Sequence, residues 1–336
     1  MKYKRLGKSG LHVSQICVGT MEFGDGANAQ TAARIVSMAR ESGVNFIDTA
    51  DVNSQGKSER IIGRLIRKDR DWWVVGTKVG NSMGSDVNSQ GLNRKWLLQA
   101  VDDSLSRLAT DYIDIYYPDI DDENTRIQEV ICTLGDLIRC GKIRYWGISN
   151  FSAWRIAEII RVCQECNIPQ PIAGQPCYNA VTRTAEQEYL PVCAYFGIGV
   201  VPYSPLARGV LTGKYLPGSP PPKFSRAGRG DKRILETEYR RESILIAHQI
   251  GKRAREKGIT AAQFAVNWVL NNSLVTSLVA GPRTIQQWTG YMDALQYNFT
   301  KEDEDFFNNL VPIGGTSTPG YNDPLYPILG RRPKTG

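Results

Sequence analysis

Eight short runs of β-branched and other apolar residues, alternating with stretches whose apolar residues recur at helical spacing, constrain this 336-residue chain more than any other feature. The runs lie near residues 15–18, 45–48, 73–77, 112–117, 143–148, 172–175, 197–201 and 275–280. A strand followed by a whole helix cannot turn back as a hairpin, so it meets the next strand in parallel through a crossover. The helical stretches include residues 31–43, stopped by Gly43, and 96–108, 126–139 and 261–270. Eight such units predict an α/β fold, a (β/α)8 barrel, as one domain over 1–336 with its core at about 15–310. Residues 2–14 alternate around K-S-G and predict a hairpin plugging the bottom of the barrel.

Three segments are too irregular for barrel elements: 119–127, the Gly-, Pro- and base-rich 205–236, and the tail 312–336. Long loops at the C-terminal face shape substrate pockets, so the tail is expected to wrap or cover the site, with Tyr321 and Tyr326 as candidate lining residues. No apolar run approaches the ~18 residues that span a bilayer, and M-K-Y-K-R-L-G-K-S-G at the start is no signal sequence, so a cytoplasmic protein without membrane contact is expected. Lysine plus arginine exceed aspartate plus glutamate, 41 against 34, but apart from 223–233 the excess is dispersed. That excludes a nucleic-acid-binding stripe and suits an anionic small molecule. Of seven cysteines only Cys163 and Cys166 form a C-x-x-C, inside a helical pattern with no second pair or histidine, so no metal site is expected.

The candidate chemistry gathers around N-F-I-D-T-A-D-V-N-S-Q-G-K-S-E, residues 45–59. An apolar strand stops at Asp48, which stands where barrels carry catalytic groups, although a turn or cap role for it is also open. The next strand ends in G-T-K. A lysine after a β-branched run needs a partner, and Asp48 is the obvious one for Lys78.

These residues, with I-D-T-A-D at 47–51, G-T-K at 76–78, G-K-I-R-Y-W-G-I-S-N at 141–150 and P-Y-S-P-L-A-R-G-V-L-T-G-K-Y at 202–215, resemble the aldo-keto reductases, a family of NADP(H)-dependent barrels. The likeness runs from K-R-L-G-K-S-G-L-H-V-S near the start to P-R-T-I-Q-Q near 285. It implies NADP(H) as cofactor and a small-molecule substrate, and leaves the oligomeric state open. Gly19, Thr20, Met21 and Asp48 would line the cofactor site, Ser149, Asn150 and Gln175 would hold the nicotinamide amide, and Tyr203 would stack beneath the ring. Ser204, Leu206, Arg208 and Gly209 would wrap the pyrophosphate. Gly281, Arg283 and Thr284 would serve the adenosine phosphate at a helix N-terminus, with Gln287 toward the adenine.

The same resemblance exposes three departures, two in the catalytic residues and one at the adenine side. The family's proton-donating tyrosine falls on Asn53, and its histidine on Asp119, or on Pro118 if the register slips by one. Asn53 donates a hydrogen bond but has no proton to give at neutral pH. Asp119 in a carboxylate-rich, buried setting would stay protonated and suit an enone or an imine, Tyr117 two residues earlier shares its face, and Lys78 could act as acid or base. An asparagine expected four residues after Gln287 is Tyr291, which leaves adenine recognition weakened or carried by stacking. Three functions are compatible: an NADP(H)-dependent oxidoreductase with an unusual substrate; a lyase- or epimerase-like enzyme with no net redox change; and a sensor of cofactor redox state, as barrels of this type are when attached to potassium channels.

Overall fold

The structure, a computed structural model, describes residues 1–327. Residues 328–336, the last part of the expected tail, lie outside the described residues. In chain order the elements are β1 (Tyr3–Arg5), β2 (His12–Ser14), β3 (Ile16–Gly19), α1 (Ala29–Glu41), β4 (Phe46–Asp48), α2 (Lys57–Ile66), β5 (Val74–Val79), α3 (Arg94–Leu108), β6 (Ile113–Pro118), α4 (Ile127–Arg139), β7 (Ile143–Ser149), α5 (Ala153–Cys166), β8 (Ala173–Gln175), α6 (Tyr189–Phe196) and β9 (Gly199–Val200). They continue with α7 (Lys232–Glu236), α8 (Arg241–Glu256), α9 (Ala261–Asn271), β10 (Leu278–Ala280), α10 (Ile285–Ala294) and α11 (Lys301–Leu310). The chain divides into two compact units.

The first unit, Met1–Cys177, Glu188–Tyr203 and Leu270–Asp293, holds the sheet. Eight parallel strands run in the order β10, β3, β4, β5, β6, β7, β8, β9. The ring closes where Val200 bridges Val275 and the Val279 N–H donates to the Pro202 carbonyl at 2.9 Å. This is the expected (β/α)8 barrel. Two of its helices start on side-chain caps, Asn28 accepting from the Thr31 N–H before α1 and Asn93 from the Trp96 N–H before α3. Along α1 the buried residues are Ala32, Ile35, Val36 and Ala39, the one-face spacing expected of a helix laid on a sheet.

The β1–β2 hairpin sits at the N-terminal ends of β8 and β9. The Lys8 N–H donates to the Gly197 carbonyl, and a Cβ on Gly7 would lie 2.4 Å from that oxygen and 2.9 Å from the Ile172 carbonyl, so only glycine fits the plug there. This explains why the strand expected over 197–201 shrinks to Gly199–Val200. Gly197 at φ 72° caps α6, and the Ile198 N–H turns back to Cys193, which removes both residues from the ladder.

One face of every strand fills the barrel. Leu6, Val13, Cys17, Phe46, Val74, Ile115, Tyr117, Ala173, Val201 and Val279 form its core cluster. Tyr117 is admitted by glycines on both flanking strands: Cβ atoms on Gly147 and Gly76 would fall 2.4 and 3.0 Å from its ring.

The second unit comprises Tyr178–Gln187, Ser204–Val269 and the chain from Ala294. Its core stacks Tyr178, Phe264, Trp268 and Phe307. Arg183 is buried in it, bonded to Glu186, the Asn308 side chain and the Val311 carbonyl. The 205–236 segment, irregular in sequence, folds into 3-10 turns at Ala207–Thr212 and Ala227–Arg229 followed by α7. The tail is tied down by a two-pronged Arg233–Asp323 pair and by the Arg240 guanidinium 3.5 Å over the Tyr321 ring. Tyr321 also donates to the Glu236 carbonyl.

Candidate active site

Side chains alternate along a strand, so two residues beyond each core position lies a group on the same interior face. From Phe46 that step reaches Asp48, from Tyr117 Asp119, from Ala173 Gln175 and from Val201 Tyr203; two steps from Val74 reach Lys78. The candidate residues therefore share the C-terminal mouth of the barrel because they share a parity with its core.

Asp48 and Lys78 stand on paired strands, and the Lys78 ammonium lies 2.6 Å from both Asp48 oxygens. Its third donor goes to the Thr49 carbonyl at 2.9 Å, and Gln175 Nε2 adds a bond to Asp48 Oδ1 at 2.9 Å. Both residues are 6% exposed. The ammonium is saturated, so the pair acts as a fixed dipole at the barrel mouth and not as a free base. Tyr117 lies beneath, its ring centre 5.7 Å from Lys78 Nζ and its hydroxyl without a hydrogen-bond partner among the described residues. Burial, with the Asp48 charge behind it, pushes its pKa well above the ordinary phenol value. This phenol is core rather than mouth.

Asp119 follows β6, its N–H donating to the Val79 carbonyl. Pro118 instead pairs with Val79 on the opposite parity, so the register puts Asp119 at the mouth. Its Oδ2 accepts from Asn81 Nδ2 at 3.0 Å, and Ser149 bonds the same carboxyl. Burial raises its pKa, against Lys78, Ser149 and Asn81, which lower it, while Asp48 adds to the rise. Asn150, held at φ 63°, donates to the Asp119 carbonyl at 3.1 Å and accepts from the Tyr203 hydroxyl at 2.9 Å. Ser149, Asn150, Tyr203 and Asp119 thus form one network.

Asn53 sits half-buried in the turn after β4, where Ser54, Gln55 and Gly56 are all left-handed. Its N–H bonds to the Ala50 carbonyl, and its side chain makes no hydrogen bond among the described residues. Behind the turn the sequence reading missed an acidic pair. Asp51 is 1% exposed with Oδ2 unpartnered, next to Glu59, which is fully buried, paired with Arg107 at 2.5 Å and bonded by Thr77 at 2.6 Å. Two carboxyls share one guanidinium, so burial and the Glu59 charge push Asp51 up to about 8. Nothing local marked this pair, because both acids lie in ordinary turn and helix-start positions.

A pH dependence follows. The folded chain keeps the Asp51 proton between about pH 4 and pH 8 while the unfolded chain releases it, so stability falls across that window by up to ~1.4 kcal/mol per pH unit. Below it both states are protonated, and above it the loss is complete. Asp51→Asn is expected to flatten the decline, matching wild type at pH 5 and exceeding it at pH 8 in urea midpoint. Equal slopes for the two proteins would mean that Asp51 is ionised throughout.

The groups expected to hold a dinucleotide are only partly gathered. In the first unit Ser149, Asn150 and Tyr203 share one network with Asp119, Gln175 is bonded to Asp48, and a Cβ on Gly281 would meet nothing within 4 Å, leaving open backbone at the turn into α10. This donor set fits a nicotinamide and a phosphate. Met21 is 51% exposed at the end of β3, whereas Gly19 is packed against Val279 and Thr20 is buried, bonded to the Asp48 carbonyl and Ser58. Gln287 is engaged by the Arg283 N–H at 2.7 Å, and the Gln287 N–H bonds Thr284, a reciprocal cap at the start of α10. Tyr291 is 7% exposed and bonded to the Gly281 backbone, so it is unsuited to stacking on a ligand. In the second unit, Ser204, Arg208 and Gly209 have left-handed backbones around Leu206. A Cβ on Gly209 would lie 2.6 Å from the Lys214 ammonium, and Arg208 in the same curl is paired with Glu238 at 3.0 Å.

Among the described residues no cluster of three or more His, Cys, Asp or Glu is arranged to hold a metal, and no helix is long and apolar enough to cross a membrane. A model of the Aldo/keto reductase family matches residues 15–310. The chain is 35% identical to a probable voltage-gated potassium channel subunit beta of Oryza sativa subsp. japonica, over 99% of this chain and 98% of that one. It is 36% identical to the similarly named Arabidopsis thaliana protein over 84% and 87%, and 33% identical to the uncharacterized oxidoreductase YrpG of Bacillus subtilis (strain 168) over 95% and 98%.

Proposed function

This chain belongs to the aldo/keto reductase family, and from that premise we propose that it is an NADP(H)-dependent oxidoreductase for an unusual small molecule, an enone, an imine or a specialised carbonyl. The observation that carries this reading is the mouth of the barrel, where the Asp48–Lys78 pair is intact while the neighbouring acid is a carboxyl instead of a phenol. Ser149, Asn150 and Gln175 would hold the nicotinamide amide and Tyr203 would pack against the ring. Gly281 and Arg283 would meet a phosphate. Bound there, the dinucleotide would supply or accept the hydride.

The chain's own residues do the rest. Asp48 and Lys78 cancel each other's charge and fix a local dipole. Asn53 is free to donate a hydrogen bond to a substrate oxygen or leave a nitrogen unopposed. Asp119 meets the substrate as a carboxyl of raised pKa. Seven free thiols among the described residues accord with a reducing, cytoplasmic setting.

The relatives named as channel subunits favour a second reading, a protein that binds the dinucleotide and senses its redox state with little turnover. Titrating the protein with NADPH, followed by fluorescence, and then mixing the complex with aldehydes, enones and cyclic imines tests both. Tight binding with oxidation by an enone or imine but slow reaction with simple aldehydes is expected. Tight binding without oxidation by any class would favour the sensor, and no binding would sink both readings.

A further inference from the structure

We infer that the barrel mouth takes a substrate with a positively charged carbon–nitrogen double bond, an iminium, and that Asp119 is the group that selects it. This rests on the proposed function and narrows its substrate class. Two independent features carry it.

The first is the state of Asp119. Its carboxyl accepts from two neutral donors, Asn81 and Ser149, and forms no ion pair among the described residues. Lys78, the nearest cation to act on it, has all three donors committed to Asp48 and Thr49. A carboxylate oriented by neutral hydrogen bonds, partly accessible and lacking a counter-ion, is completed by a cation. A neutral ligand leaves it incomplete.

The second is the shortage of acids other than Asp119, which has no proton to give in the ionised form that pairs with a cation. Asn53 has no proton to give, the Tyr117 phenol is sealed in the core, and the Lys78 ammonium is saturated. A neutral carbonyl reduced here becomes an alkoxide that must be protonated. An iminium does not pose that demand. Its π pair moves onto nitrogen, a C–H bond forms at carbon with hydride from the reduced nicotinamide dinucleotide, and the product is a neutral amine with no proton left to supply. One cationic substrate therefore answers both features of the site.

The probe is N-methyl-3,4-dihydroisoquinolinium, which keeps its charge at every pH, with 1-tetralone as its neutral counterpart. Calorimetry on the full chain, with and without NADP+, is expected to give about tenfold or greater tightening for the cation over the ketone. Asp119→Asn should erase that preference. Because a variant can misfold, wild-type binding across pH 5 to 8 provides a second arm. Asp119 is faced by Lys78, Asp48, Asn81, Ser149 and Asn150, and of these only Lys78 and Asp48 carry charge, locked to each other. Cation affinity should rise with pH as Asp119 ionises, and ketone affinity should not. A cation bound no tighter than tetralone at any pH, or unaffected by Asp119→Asn, overturns the inference. Failure of NADPH to bind, with Asp119-dependent cation binding intact, would instead sink the proposed oxidoreductase and leave this selectivity standing. Enone-driven NADPH oxidation with no cation binding would do the reverse.

Discussion

Replacing Lys78 by Met is expected to lower the stability of the chain by about 3–5 kcal/mol, the cost of leaving a buried carboxylate without its cation. Asp48 has two ammonium contacts at 2.6 Å and one amide bond from Gln175, and removing Lys78 leaves only the amide. The Thr49 carbonyl loses its donor as well. The methionine retains the length of the stem, so the packing against the mouth changes little and the loss reads mainly as electrostatics. Urea denaturation monitored by tryptophan fluorescence provides the measurement. The Asp48→Asn/Lys78→Met double variant should recover much of the loss, because it removes the stranded charge. A single-variant loss below about 1 kcal/mol would mean that the pair is solvated like a surface ion pair.

The second large effect is a gain. Asn53→Tyr should raise NADPH-dependent reduction of an aromatic aldehyde by about 10²–10⁴-fold in kcat/KM, the range for restoring a positioned general acid. Asn53 is half-buried, with no side-chain bond to lose, and it lies outside the left-handed residues of its turn, so a larger side chain finds ordinary backbone. If the phenol reaches the Lys78 ammonium, the gain should appear in kcat more than in KM, because the new interaction operates as the alkoxide forms. An unchanged aldehyde rate in a variant that binds NADPH as wild type does would mean that residue 53 does not face the reacting oxygen. Iminium reduction, where no proton is needed, should be unchanged by the same substitution.

The number of strands and, to within a residue or two, most of their bounds were legible in the residues, because apolar runs and helical spacing are local and each repeats within ten or so positions. Asp48 and Lys78 were legible for the same reason: each closes a β-branched run, and the register of β4 on β5 follows from that parity. The shortening of β9 was not, since it depends on Gly7 and Lys8 reaching Gly197 from almost the other end of the unit. Nor was the division of labour in the site. Tyr117 and Asp119 share a strand and a face, yet Gly76 and Gly147 on flanking strands draw one into the core while Asn81 and Ser149 hold the other at the mouth. Asp51 became a proton-holding acid only because the fold sets Glu59 and a single Arg107 beside it. What the sequence by itself determined was which groups are available and on which face of which strand they stand. Their charge states, partners and access were decided by tertiary structure, because desolvation and Coulomb interaction depend on distances between residues far apart in the chain.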